Sequence, residues 1–122
     1  MAIVDANYVL RYLLDDIGEQ SRQAANIIEN QNVKLPNEVV AEVVYVLQKV
    51  YNVERNDITE SIKMLINYVN INVLNKDVVN VALEKYKVSK FDFVDCLLYA
   101  YSIIDGEQVY TFDKKLNKLI ND

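Results

Sequence analysis

Four short stretches of this chain place acidic side chains where chemistry could use them: Asp5, Glu42, the pair Asp92 and Asp95, and Asp113. No histidine occurs anywhere. That excludes Ser-His-Asp and Cys-His triads, HExxH zinc sites and paired-histidine cleavage of RNA through its 2′-hydroxyl. Cys96 is the only cysteine, so an intrachain disulfide and a multi-cysteine zinc site are excluded too. Hydrolysis by this chain has to rest on carboxylates, lysines or a carboxylate-bound metal. Carboxylates gathered in one cleft repel one another and cannot all stay ionised without a cation. Hard oxygen donors select Mg2+ or Mn2+ over zinc. Such an ion lowers the pKa of a bound water, orients a phosphate and stabilises the leaving oxygen.

Each acid also has a purely structural reading. Asp5 and Asn7 can cap a first helix and Asp113 a last one. Asp92 and Asp95 have the spacing of an imperfect capping box, where carboxylates meet the helix dipole favourably. Glu42 differs, because on a helix its neighbours at i−3, i+3 and i+4 are Val39, Tyr45 and Val46. An ionised carboxylate among apolar side chains is costly unless it is paired or binds a metal. The structural alternative for Glu42 is a rim position that reaches solvent.

The elements that must position these acids are legible as an alternation. Short β-branched runs at Ala2–Val4, Val33–Leu35, Ile71–Leu74 and Gln108–Thr111 read as strands. Between them, Val40, Val43, Val44 and Leu47 follow the i, i+3, i+4, i+7 spacing of a buried helix face, and Val79, Ala82, Leu83 and Tyr86 do the same. Further helices are predicted over 7–15, 19–30, 55–69, 92–104 and 114–121, with Pro36-Asn37 opening a helix and Asn37 as its cap. Strands separated by helices imply right-handed crossovers and a mainly parallel sheet. Ligands of such sheets bind beyond the carboxyl ends of the strands, and that is where Asp5 and Asp113 fall.

The 122 residues suit one domain. Two glycines and one proline leave little room for flexible linkers. The opening MAIVDAN lacks the basic and apolar regions of a signal peptide, and no apolar run reaches membrane-spanning length, so a reduced, cytoplasmic protein is expected. The net charge of −5 counts against a plain nucleic-acid-binding module and suits acids neutralised by metal. Lys85, Lys87, Lys90, Lys114, Lys115 and Lys118 crowd the last third of the chain, where they could follow RNA phosphates or simply be surface lysines.

IVDAN (3–7), AEVVYVL (41–47), FDFVDCLLYA (91–100) and YTFDKKL (110–116) resemble the four motifs of the PIN domain in order and spacing. The opening IVDANYVLRYLLDD is especially similar to VapC-type toxin ribonucleases. The resemblance covers nearly the whole chain. It implies a single PIN-like domain over 1–122, an α/β/α three-layer fold with a mainly parallel sheet of four or five strands. Many relatives add the fifth strand beyond the helix near Lys114. It also implies an endoribonuclease dependent on Mg2+ or Mn2+. The family's four acids fall on Asp5, Glu42, Asp95 and Asp113. Asp5, Asp95 and Asp113 would ligate the metal or support its ligands, and Glu42 would ligate it or orient the attacking water. Asp92 would be an accessory acid, with Asn7 and Thr111 as polar residues that hold the first acid and the metal-bound water. Ala6 stands where the family usually has Thr, a departure expected to weaken one hydrogen bond near the metal. In-line attack by water would leave a 5′-phosphate and a 3′-hydroxyl. Implied partners are structured RNA such as tRNA, a cognate antitoxin and a second copy of the chain, with no membrane.

The first helix offers a possible partner surface: Leu10, Leu13 and Leu14 fit the core, while Tyr8 and Tyr12 lie one turn apart on another stripe. Arg11 could meet an antitoxin acid or an RNA phosphate, or be a solvated surface residue. Two other classes compete with a toxin nuclease. One is a catalytically silent PIN-like interaction module, which the presence of all four motif acids disfavours; a PIN nuclease that is not a toxin would keep the chemistry. The other is a phospho-acceptor receiver domain, which fits poorly because the third strand runs into Leu74-Asn75-Lys76-Asp77.

Overall fold

The computed structural model describes residues 1–121. It forms two compact units, Met1–Leu74 and Asn75–Asp122. The first contains β1 (Ala2–Ile3), α1 (Ala6–Leu14), α2 (Gly18–Asn30), β2 (Val33–Lys34), α3 (Asn37–Lys49), α4 (Arg55–Ile66) and β3 (Ile71–Asn72). The strands lie in the order β1-β2-β3 and pair in parallel, with Ala2 opposite Val33 and Val33 opposite Ile71. Two helices therefore make each crossover. The ladder continues a residue past β2, where the Leu35 N–H donates to the Asn72 carbonyl at 2.9 Å, and then meets Pro36, which has no N–H to offer.

The helices of this unit follow their apolar spacing. α1 packs on α2 and on α3, and α3 on α4. Val9 and Leu10 of α1, Ala24 and Ile28 of α2, Val40, Val43, Val44 and Leu47 of α3, and Ile58, Ile62, Leu65 and Ile66 of α4 are buried around the buried strand residues Val33 and Leu35. Leu13 and Leu14 of α1 are only half-buried. The α1–α2 turn is fixed by two local devices. Asp15 closes α1 in the left-handed region at φ 49°. Ser21, itself buried, donates from Oγ to the Arg11 carbonyl at 2.9 Å and accepts from the Ile17 N–H at 3.2 Å. Pro36 rather than Asn37 occupies the cap position of α3, with Asn37 as its first helical residue. Pro36 has the extended backbone a cap requires, at φ −65° and ψ 152°.

The second unit holds α5 (Lys76–Val88), α6 (Phe93–Asp105) and α7 (Lys114–Asn121). α5 packs extensively on α6, and α6 on α7. Val79, Ala82, Leu83 and Tyr86 meet Phe93, Cys96, Leu97 and Ala100 in its core, and the Tyr86 and Phe93 rings stand edge to face at 5.9 Å. Gly106 ends α6 in the left-handed region at φ 66°, which glycine adopts without steric cost.

The class is α/β with a parallel sheet, as the sequence implies. Among the described residues the sheet has three strands, not four or five. Gln108–Thr111 has strand-forming residues but is irregular, and Tyr110 and the adjoining Phe112 are fully or almost fully exposed. A strand is defined by a hydrogen-bonded neighbour, so side-chain preference alone does not make one.

Candidate active site

In the first unit, Asp5 stands just beyond β1 as the cap of α1, and its Oδ1 accepts the Tyr8 N–H at 3.0 Å. The capping reading of this residue therefore holds. A carboxylate used this way keeps its second oxygen and its charge for a ligand. Asn7 is exposed, and neither Asp5 nor Asn7 is enclosed by the core. Both line a cavity of about 200 Å3 formed with Tyr8 and Arg11 of α1 and Gln20 and Gln23 of α2.

Arg11 departs from the surface role expected of it. It is buried, with Nη1 paired to Asp16 at 3.1 Å and Nη2 donating to the Tyr51 hydroxyl at 3.1 Å. Tyr12 is likewise engaged internally. Its hydroxyl is 2.8 Å from both Glu29 Oε2 and the Tyr68 hydroxyl, and its ring meets that of Tyr68 edge-on. Burial first, then the bonds to Tyr68 and Glu29, pushes the Tyr12 hydroxyl well above its ordinary pKa. Glu42 lies on the exposed side of α3, beside exposed Tyr45 and half-buried Val39 and Val46. The desolvation that would have singled it out is absent, and the rim reading describes its position.

In the second unit, Asp92 precedes α6, Asp95 is in its first turn, and Asp113 opens α7. Asp113 Oδ1 accepts the Leu116 N–H at 2.9 Å, and Thr111 Oγ1 accepts the Asp113 N–H at 3.1 Å. Asp92 makes no side-chain cap bond. Asp95 is half-buried, and its carboxyl is held above the usual carboxylate range by desolvation first, then by the charges of Asp92 and Asp113. Three acids from two separate motifs thus act on one another electrostatically. Lys114, Lys115 and Lys118 are exposed on α7, while the Lys85 ammonium sits 4.9 Å from the centre of the Tyr99 ring.

The PIN domain family matches this chain over residues 2–120. The chain belongs to the PIN domain family. It is also similar to a VapC ribonuclease of Aquifex aeolicus (strain VF5), at 29% identity across 98% of this chain and 92% of that protein. No solved structure matches it significantly. No helix among the described residues is long and apolar enough to cross a membrane.

Membership sharpens the question of metal in this PIN domain. The donor chemistry fits a hard divalent cation, since the acids of the second unit are oxygen donors and burial together with the charges of Asp92 and Asp113 disfavours the ionisation of Asp95. Among the described residues, no group of three His, Cys, Asp or Glu side chains is gathered tightly enough to hold an ion. Gln20 and Gln23 line the cavity beside Asp5 and belong to none of the acidic motifs. The available signal was their i, i+3 spacing on α2, which places two amides on one stripe.

The Asp95 environment has a measurable consequence. Its folded-state pKa lies above the unfolded value of about 3.9. The folded chain then binds more protons than the unfolded one through that window, so stability falls as pH rises through it. The penalty is absent below the unfolded pKa and fully present above the folded one. In EDTA at neutral pH, Asp95→Asn is expected to raise the thermal midpoint by about 2 °C, the scale of a partly solvated charge. The gain should vanish below about pH 4. Calorimetric scans across pH check this, and a variant that melts lower at neutral pH would contradict it.

Proposed function

We propose that this PIN domain is an endoribonuclease dependent on Mg2+ or Mn2+, the toxin of a toxin–antitoxin pair, with Asp5, Glu42, Asp95 and Asp113 as its functional acids. The observation that carries the reading is that desolvation, and then the charges of Asp92 and Asp113, hold the Asp95 carboxyl above its usual range in a chain that has no histidine. A bound cation would relieve the like-charge repulsion at Asp95 and leave its carboxylate ionised. The similarity to a VapC ribonuclease supports RNA as the substrate.

Asp5, Asp95 and Asp113 would hold the metal, with Asp92 raising the negative potential at Asp95. The bound ion would supply activation of water and charge neutralisation at the phosphate. The chain's own residues do the rest. Capping fixes Asp5 and Asp113 at helix starts, so their carboxylates are oriented before any ligand arrives. Thr111 steadies the backbone at Asp113. Glu42, exposed on α3, would ligate the metal or orient the attacking water. The exposed lysines of α7 would attract phosphates in a salt-dependent way. An antitoxin, a second copy of the chain and a cytoplasmic location belong to the same proposal.

In-line attack by water, as the family resemblance implies, is expected to leave 5′-phosphates and 3′-hydroxyls. End-labelling of RNA fragments made in Mn2+ checks this, and 2′,3′-cyclic phosphates would refute the route. The competing reading, a PIN-fold interaction module without chemistry, is favoured by one observation: no three potential ligands are gathered among the described residues. That reading expects no fragments in Mg2+ or in Mn2+.

A further inference from the structure

The cavity beside Asp5 has a chemistry of its own. Its volume of about 200 Å3 is small for a drug-sized ligand and leaves room for a single planar ring system. Its lining residues include Asn7, Gln20 and Gln23, which bear amides, together with Tyr8 and Arg11. Each amide offers two donors and one acceptor. All three are exposed, and none of them has a hydrogen-bond partner among the described residues.

The electrostatics argue against an anion. The only cation in the wall, Arg11, is already paired to Asp16 at 3.1 Å, and Asp5 adds a negative charge. A free phosphate or an acidic side chain would meet net repulsion. A neutral ligand rich in donors and acceptors would not. Arg11 also holds an unmet demand: its Nε–H is buried and has no acceptor, although both terminal nitrogens are bonded. Buried donors normally find a partner, and an orphan needs an explanation. The Arg11 Nε atom is sealed from solvent, so a carbonyl or ring nitrogen brought into the cavity would supply a partner once the Arg11 side chain turns toward it. Asn and Gln amides match the edges of bases with paired bonds, and tyrosine rings stack on base faces.

We propose that this α1–α2 cavity is a pocket for one unpaired RNA base, read by Gln20, Gln23 and Asn7 and stacked on Tyr8. The proposal rests on the ribonuclease reading for its substrate, and it deepens that reading. A base held here lies against the same wall as Asp5, so the pocket would select which nucleotide is presented next to the cut.

The test uses the full chain labelled with 15N. The side-chain amide signals of Asn7, Gln20 and Gln23 and the Arg11 Nε signal are followed while adenosine, guanosine, cytidine, uridine, inorganic phosphate or N-acetyl-arginine amide is added to millimolar levels. One or two nucleosides are expected to move these signals, while phosphate does not. Cleavage sites in random-sequence RNA are then mapped for the wild type and for Gln20→Ala/Gln23→Ala. A base preference at one position beside the cut is expected to drop about tenfold in the variant, the discrimination carried by one good base contact. Movement with phosphate alone would overturn the proposal in favour of an anion site. Movement with the arginine amide alone would overturn it in favour of a basic partner protein. Cleavage with unmoved signals and unchanged preference removes the pocket and leaves the nuclease standing. Nucleoside shifts without any cleavage keep a nucleoside pocket and remove the nuclease.

Discussion

Asp113→Asn is expected to lower RNA cleavage in Mg2+ at least a hundredfold while shifting the unfolding free energy by less than about 1 kcal/mol. The two halves of that expectation come from two jobs of one side chain. As a cap, Asp113 gives one oxygen to the Leu116 N–H. Asparagine caps about as well as aspartate, so the helix start survives the change. As a metal ligand, aspartate supplies a full negative charge that the amide lacks, and hard cations depend on that charge. Asp5→Asn should behave alike, because Asp5 caps α1 through the Tyr8 N–H. Alanine removes both jobs and should add a stability loss of about 1 kcal/mol at either position. A purely structural pair of caps would give the opposite pattern, with silent asparagines and alanines that are merely less stable. Cleavage rates and urea unfolding on the same four variants separate the two.

The second large effect is on stability. Arg11→Ala is expected to cost about 3 kcal/mol in urea unfolding, toward the low end for breaking a buried ion pair. Arg11 is one-tenth exposed, and it joins Asp16 and Tyr51, residues far from each other in the chain. Asp16 is 38% exposed, so it can rehydrate once abandoned, and this keeps the cost from reaching the upper end of the range. Arg11→Met retains the buried stem and should recover roughly half of the loss, the part owed to packing. Equal losses for both variants would place the whole effect on the charge. No loss in either would contradict the burial seen here.

The contrast between these two sites shows what the residues alone could reveal. Asp5 and Asp113 are legible because capping is local: the acceptor and its N–H lie three residues apart, and the helix that follows announces itself by spacing. The helices were legible for the same reason, since Val40, Val43, Val44 and Leu47 repeat on one face whatever else the chain does. Arg11 was not legible. Its stripe with Tyr8 and Tyr12 reads as a surface, and its burial depends on Tyr51, forty residues away. The solvation of Glu42 was hidden for a different reason. Its sequence neighbours are apolar, but Tyr45 and Val46 do not close over it, so local hydrophobicity misjudged its solvation. The run Gln108–Thr111 has the side chains of a strand, but pairing is a long-range property that composition does not encode. The Asp92–Asp95 repulsion was implied by spacing, whereas the contribution of Asp113 required the turn that follows α6.

The central claim, carboxylate–metal hydrolysis of RNA, is tested most directly by reversing it. The purified chain is stripped with EDTA, assayed on RNA, and assayed again after Mg2+ or Mn2+ is returned in excess. The expected result is no cleavage in EDTA and full recovery with metal in the wild type, with no recovery in Asp5→Asn or Asp113→Asn. Undiminished cleavage in excess EDTA, or equal recovery in the two variants, would contradict the account.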